Sequence, residues 1–103
     1  MPKFVFAYHG GKSPESPEEG EKVMAAWQAW YGGMGAAVQD GGGPAGPSKT
    51  VSSGGVADNG GSNPLSGLTQ VEAPDIDAAV AMAQGCPILT DGGSVEVAEV
   101  LQM

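Results

Sequence analysis

SPEEGEKVMAAWQAWYGGM, residues 16–34, decides how the rest of the chain is read. Its first residues form a helix start. Ser16 suits the N-cap, Pro17 the first helical position, and Glu19 the third residue of a capping box. Glu18, Glu19 and Glu21 place negative charge at the positive end of the helix dipole. Val23, Trp27, Trp30, Tyr31 and Met34 recur at spacings of three and four, so they share one face. Within that stripe the spacing places Trp27, Tyr31 and Met34 at the centre and Trp30 toward the border. Gly32 and Gly33 are expected to stop the helix.

Before this helix, Lys3-Phe-Val-Phe-Ala-Tyr8 is a continuous run of strand formers, as in a central strand covered on both faces. Phe4, Phe6 and Tyr8 fall on one side, Val5 and Ala7 on the other. His9-Gly10-Gly11 ends the run, and a loop is expected from Lys12 to Glu15. After the helix, Ala36-Ala-Val-Gln39 is a short strand that Asp40-Gly-Gly-Gly-Pro44 should break. Lys49-Thr-Val-Ser52 is expected to continue the same sheet edge. Ser53-Gly-Gly-Val56 and Asn59-Gly-Gly61 carry hairpin chemistry with an exposed tip. Leu65 to Glu72 reads as a strand with Leu65, Thr69 and Val71 on one face. Asp75 caps a second helix whose buried stripe is Ile76, Ala79, Val80 and Ala83, and Gly85-Cys86-Pro87 ends it. Thr90-Asp-Gly-Gly93 is a turn, and Ser94 to Leu101 closes the chain with Val95 and Val97 inward and Glu96 outward.

The order βαββαβ, with short right-handed connections, predicts an α+β fold. It is a ferredoxin-like sandwich with an antiparallel sheet, a single domain over residues 1–103. Two helices cover one sheet face only. Val5 and Ala7 then call for a second copy packed sheet to sheet, giving a homodimer and a dimeric α/β barrel.

Composition narrows the function. The net charge is −8, with four lysines and no arginine. A chain so poor in positive charge cannot displace counterions from nucleic acid or dock on an anionic membrane. No apolar run approaches a membrane span. Lys3 is followed by only five apolar residues before His9, so no secretory leader is expected and a cytoplasmic protein is the default. Cys86 stands alone, which precludes an intrachain disulfide, and reads as a buried thiol. Of the 18 glycines, 12 lie between Gly32 and Gly67, so their excess marks loops. Neither Gly41–Gly43 nor Gly54-Gly55 has the spacing of a nucleotide-binding loop. The glutamates of the first helix are explained by the dipole. One histidine makes no metal constellation, and no metal or cofactor is called for.

Several segments together resemble the YCII-related family of small dimeric α/β-barrel proteins. They are FVFAYHGG, SPEEGEKVMAAWQAWYGGMG, AAVQDGGGP, VEAPDIDAAVAMAQGCP and GGSVEVAEV. The resemblance spans essentially the whole chain. It implies the ferredoxin-like fold, dimerisation through the sheet face, and a small cleft between sheet and helices. It also implies, for members with a suggested chemistry, a histidine paired with an aspartate near the start of the first helix. This chain carries Glu18, Glu19 and Glu21 there.

The candidate ligand-binding residues are Tyr8, His9, Trp27, Trp30 and Tyr31. They fit a partner that is a small, neutral or aromatic molecule held without turnover. An alternative is a cofactor-free lyase or isomerase in which His9 is the base and Asp40, or Asp91, orients it. Both aspartates also have a plain turn reading, since Asp before Gly favours turns. A third reading is an interaction module that uses the hairpin of residues 53–63.

Overall fold

The computed structural model describes residues 1–11 and 14–101; the expected loop from Lys12 to Glu15 lies partly outside them. The elements run β1 (Lys3–His9), α1 (Pro17–Met34), β2 (Val38–Pro44), β3 (Thr50–Ser52), β4 (Gly55–Ala57), β5 (Leu65–Glu72), α2 (Ile76–Ala83) and β6 (Ser94–Val100). Four strands form one sheet in the order β2-β5-β1-β6, every neighbouring pair antiparallel. With two helices this is an α+β fold compatible with a ferredoxin-like sandwich. No helix among the described residues is long and apolar enough to cross a membrane.

β1 is central, and its alternation decides which face is filled. Phe4, Phe6 and Tyr8 are buried. Val5 and Ala7, on the other face, are half-buried. Across the register the same inward side takes Thr69 and Val71 of β5 and Val97 of β6. Ala79 and Ala83 of α2, with Trp27, Trp30 and Met34 of α1, complete this core. Small residues at 79 and 83 let α2 approach the sheet closely.

α1 starts as its sequence dictates. Ser16 Oγ accepts the Glu19 N–H at 3.1 Å. The Glu19 carboxylate reaches back one residue further than a capping box requires and accepts the Glu15 N–H at 3.2 Å. The helix runs through Gly32 and Gly33 and stops at Gly35, whose φ of +56° suits glycine and whose N–H bonds to the Tyr31 carbonyl. Asp75 caps α2 through the Ala78 N–H at 2.8 Å.

Three further expectations need correction. The run Asp40–Pro44 does not break a strand; it is most of β2, irregularly paired to β5, and Gly35–Ala37 before it is a short 3-10 turn. Thr50–Ser52 does not continue the sheet edge, because it pairs only with Gly55–Ala57 in a separate hairpin. Ile76 and Val80 are 48% and 39% exposed, so the buried face of α2 is narrower than the stripe, with Ala79 and Ala83 at its centre. Thr90 and Asp91 fall within a 3-10 turn, Pro87–Asp91, that Gly92 closes in the left-handed region.

Candidate functional site

A cavity of about 390 Å³ opens between α1 and β2. Its helix side is Trp27 and Tyr31, with Met24 at the exposed end; Tyr8 of β1 contributes from the sheet. These rings brace one another. Tyr8 meets Trp27 edge to face at 5.1 Å, and Trp27 lies 6.0 Å from Tyr31. The opposite wall is backbone, Gly41 to Gly43 followed by Pro44. A Cβ added at Gly41 or Gly43 would meet nothing within 4 Å, so this wall carries no side chain where one would fit. Gly67 has a different role. A Cβ there would press on the Gly43 carbonyl at 2.8 Å and on the Tyr8 ring at 3.4 Å, so its absence lets β2 and Tyr8 close on β5.

One hydroxyl cluster links these rings to β5 and β2. Tyr8 Oη donates to Thr69 Oγ1 at 2.7 Å, Tyr31 Oη lies 2.8 Å from the same oxygen, and Thr69 donates to the Gly41 carbonyl at 3.1 Å. Thr69 is the one buried polar side chain among the described residues, and the cluster satisfies it. Burial pushes the Tyr8 phenol well above its ordinary value, against the Thr69 hydrogen bond that pulls it down. Tyr8 therefore stays neutral across the physiological range.

The other sequence candidates lie elsewhere. His9 is not in the cavity lining. It extends from β1 on the opposite sheet face, in step with Val5 and Ala7. Its Nδ1 donates to the Asn63 carbonyl at 3.1 Å, and its Nε2 lies 3.1 Å from Glu96 Oε1. The carboxylate beside the histidine is thus Glu96. Asp40 instead accepts the Gly42 N–H at 2.9 Å, a turn contact. Trp30, placed at the stripe border by its spacing, stacks on Phe6 at 6.0 Å and donates its indole N–H to the Met82 carbonyl at 3.0 Å. It holds α1 to α2 and does not line the cavity.

Thr69 and Glu96 were not among the candidates. Thr69 left a trace in the sequence: a polar residue at an inward position of an alternating strand. Glu96 left none, because β6 pairs Ala7 with Glu96 and reaches His9 only on the diagonal.

Cys86 is buried at 3% exposure, and burial pushes its thiol up from an ordinary 9.0 to about 11. The native state then keeps a proton that the unfolded chain has lost, so stability falls as pH rises from 9 through 11. A displacement of that size corresponds to roughly 2–3 kcal/mol. Urea unfolding between pH 8 and 11 should show this fall, and Cys86→Ala should flatten it; Tyr8 adds a loss of the same sign at the alkaline end. Among the described residues no group of three or more His, Cys, Asp or Glu side chains is placed to hold a metal ion.

No family model matches this chain, and no curated protein does. Among solved structures it is similar to 5-chloro-2-hydroxyhydroquinone dehydrochlorinase from Burkholderia phenoliruptrix AC1100, solved in complex with 2,5-dihydroxybenzoquinone. The two share 18% identity and a TM-score of 0.56, over 96% of this chain and 95% of that one. At that identity the likeness shows the fold, and it extends over nearly the whole of both chains.

Proposed function

We propose that the protein binds a small, neutral or aromatic molecule in the cavity between α1 and β2. Tyr8, Trp27 and Tyr31 are the contact residues, and the functional unit is a homodimer of the YCII-related, dimeric α/β-barrel type. One observation carries the reading: three aromatic residues face a strand of glycines across about 390 Å³ of unfilled space. That volume lies in the range of small-molecule sites, roughly 300–1,000 Å³. The dehydrochlorinase of like fold holds a flat, oxygenated ring. The dimer reading draws on the open sheet face, where Leu68 and Val100 are 43% and 42% exposed beside half-buried Val5 and Ala7.

A thermal-shift series with small neutral and aromatic compounds tests the binding. A compound that raises the melting temperature of the native protein and not of Trp27→Ala supports it. No shift with any compound, or equal shifts in both proteins, contradicts it. Sedimentation tests the dimer, which requires twice the chain mass.

A second reading, a cofactor-free lyase or isomerase, draws on His9 and its 3.1 Å contact with Glu96. Glu96 then takes the orienting role that the sequence offered to Asp40. Under this reading His9→Asn abolishes turnover; under the first it leaves the ligand-induced shift unchanged.

A further inference from the structure

Hydroxyl groups on a cavity wall can offer a proton or a lone pair, and which one they offer fixes the ligand. Three hydroxyl side chains line this cavity: Tyr8, Tyr31 and Ser66. Ser66 Oγ lies 2.8 Å from the Gly10 carbonyl, which can only accept, so its proton points away from the space. The two tyrosines share Thr69 Oγ1, and Thr69 in turn reaches the Gly41 carbonyl. Tyr31 Oη also lies 3.4 Å from that carbonyl. Tyr8, Tyr31 and Thr69 have one hydroxyl proton each. Every assignment that makes three hydrogen bonds within the cluster uses all three of those protons inside it. Either both tyrosines donate to Thr69 and Thr69 donates to Gly41, or a tyrosine proton goes to the Gly41 carbonyl directly; neither phenol keeps a proton for the cavity.

We infer that the side-chain hydroxyls on this largely apolar cavity wall act as hydrogen-bond acceptors, and that its ligand is a neutral ring bearing O–H or N–H donors. This rests on the cavity being the binding site. The phenol oxygens of Tyr8 and Tyr31 and the hydroxyl oxygen of Ser66 keep lone pairs and no free proton. The Trp27 indole N–H, with no hydrogen-bond partner among the described residues, is the one side-chain donor left on the wall. Such a site takes a polyhydroxylated or amino-substituted aromatic. It disfavours a carboxylate or phosphate, whose several oxygens would face acceptor oxygens with the Trp27 indole N–H as the one side-chain donor to pair them. Thr69 sets this polarity without lining the space itself: as the shared inner acceptor, it turns both phenols inward.

Calorimetric titration of the intact protein with hydroquinone and with 1,4-dimethoxybenzene tests the inference. The ether keeps the ring and the oxygens, loses both donors, and is the more apolar of the two. Hydroquinone is expected to bind about tenfold more tightly. In Thr69→Val the Tyr8 proton loses its partner and is released toward the cavity, while Tyr31 keeps the Gly41 carbonyl, so the preference should shrink or vanish. Should that variant not fold, Tyr31→Phe removes one acceptor and is expected to weaken hydroquinone severalfold while leaving the ether unchanged. Equal or tighter binding of the ether by the native protein overturns the acceptor wall and leaves the cavity as the site. Binding of neither compound overturns both.

Discussion

Phe6→Ala is expected to remove about 3–5 kcal/mol of stability, the usual loss when a buried ring is cut back in a core that cannot collapse. Phe6 has no exposed surface and lies at the centre of β1, opposite Thr69 on one side and Val97 on the other. Trp30 stacks on it from α1 and is itself tied to the end of α2. The lost ring therefore leaves a hole under three elements, each fixed by other contacts, and none can move in to fill it. Folded domains hold only about 5–15 kcal/mol in reserve, so this one change consumes much of it. Urea denaturation measures it directly. Phe6→Leu, which keeps most of the volume, should lose far less, and a loss below about 1 kcal/mol for the alanine variant would contradict the packing described.

Gly42→Ala is expected to cost at least about 2 kcal/mol, although Gly42 is exposed. Its φ of +61° is the left-handed region, which costs an L residue roughly 1–2 kcal/mol. An added Cβ would also overlap the Leu68 carbonyl oxygen, in the strand to which β2 is paired. Relief requires β2 to lift from β5, which moves the glycine wall of the cavity. Alanine at Gly41 or Gly43 meets no atom within 4 Å and should cost under about 1 kcal/mol. Thermal unfolding of the three variants gives the contrast, and equal melting temperatures across them would rule out this geometry for β2.

Those two sites differ in how far the sequence announced them. Phe6 was legible from β1 alone, because alternation in a strand assigns faces without knowledge of the partner. The helix starts were equally plain: Ser16 and Asp75 bond to an N–H three residues ahead, so cap and signal lie in one stretch. The bounds of β5, Leu65–Glu72, are those read from the sequence. The run of β2 beyond Gln39 was missed because Gly41–Gly43 have no side chains to alternate and low strand propensity; its strand character there comes from pairing with β5, a tertiary cause. Ile76 and Val80 were misplaced because a helical stripe gives the apolar face but not which part of it touches the sheet. The aromatic half of the site was visible in α1 as Trp27 and Tyr31. The partner of His9 was not, because Glu96 lies 87 residues away and meets it only through the β1–β6 register.

The cavity as ligand site is the claim on which the functional account stands. Crystals grown with hydroquinone test it most directly. The account predicts ring density between Trp27 and the backbone of Gly41–Gly43, its hydroxyls toward Tyr8 and Tyr31. Density beside His9 and Glu96 on the opposite sheet face, or an empty cavity at saturating ligand, would contradict it.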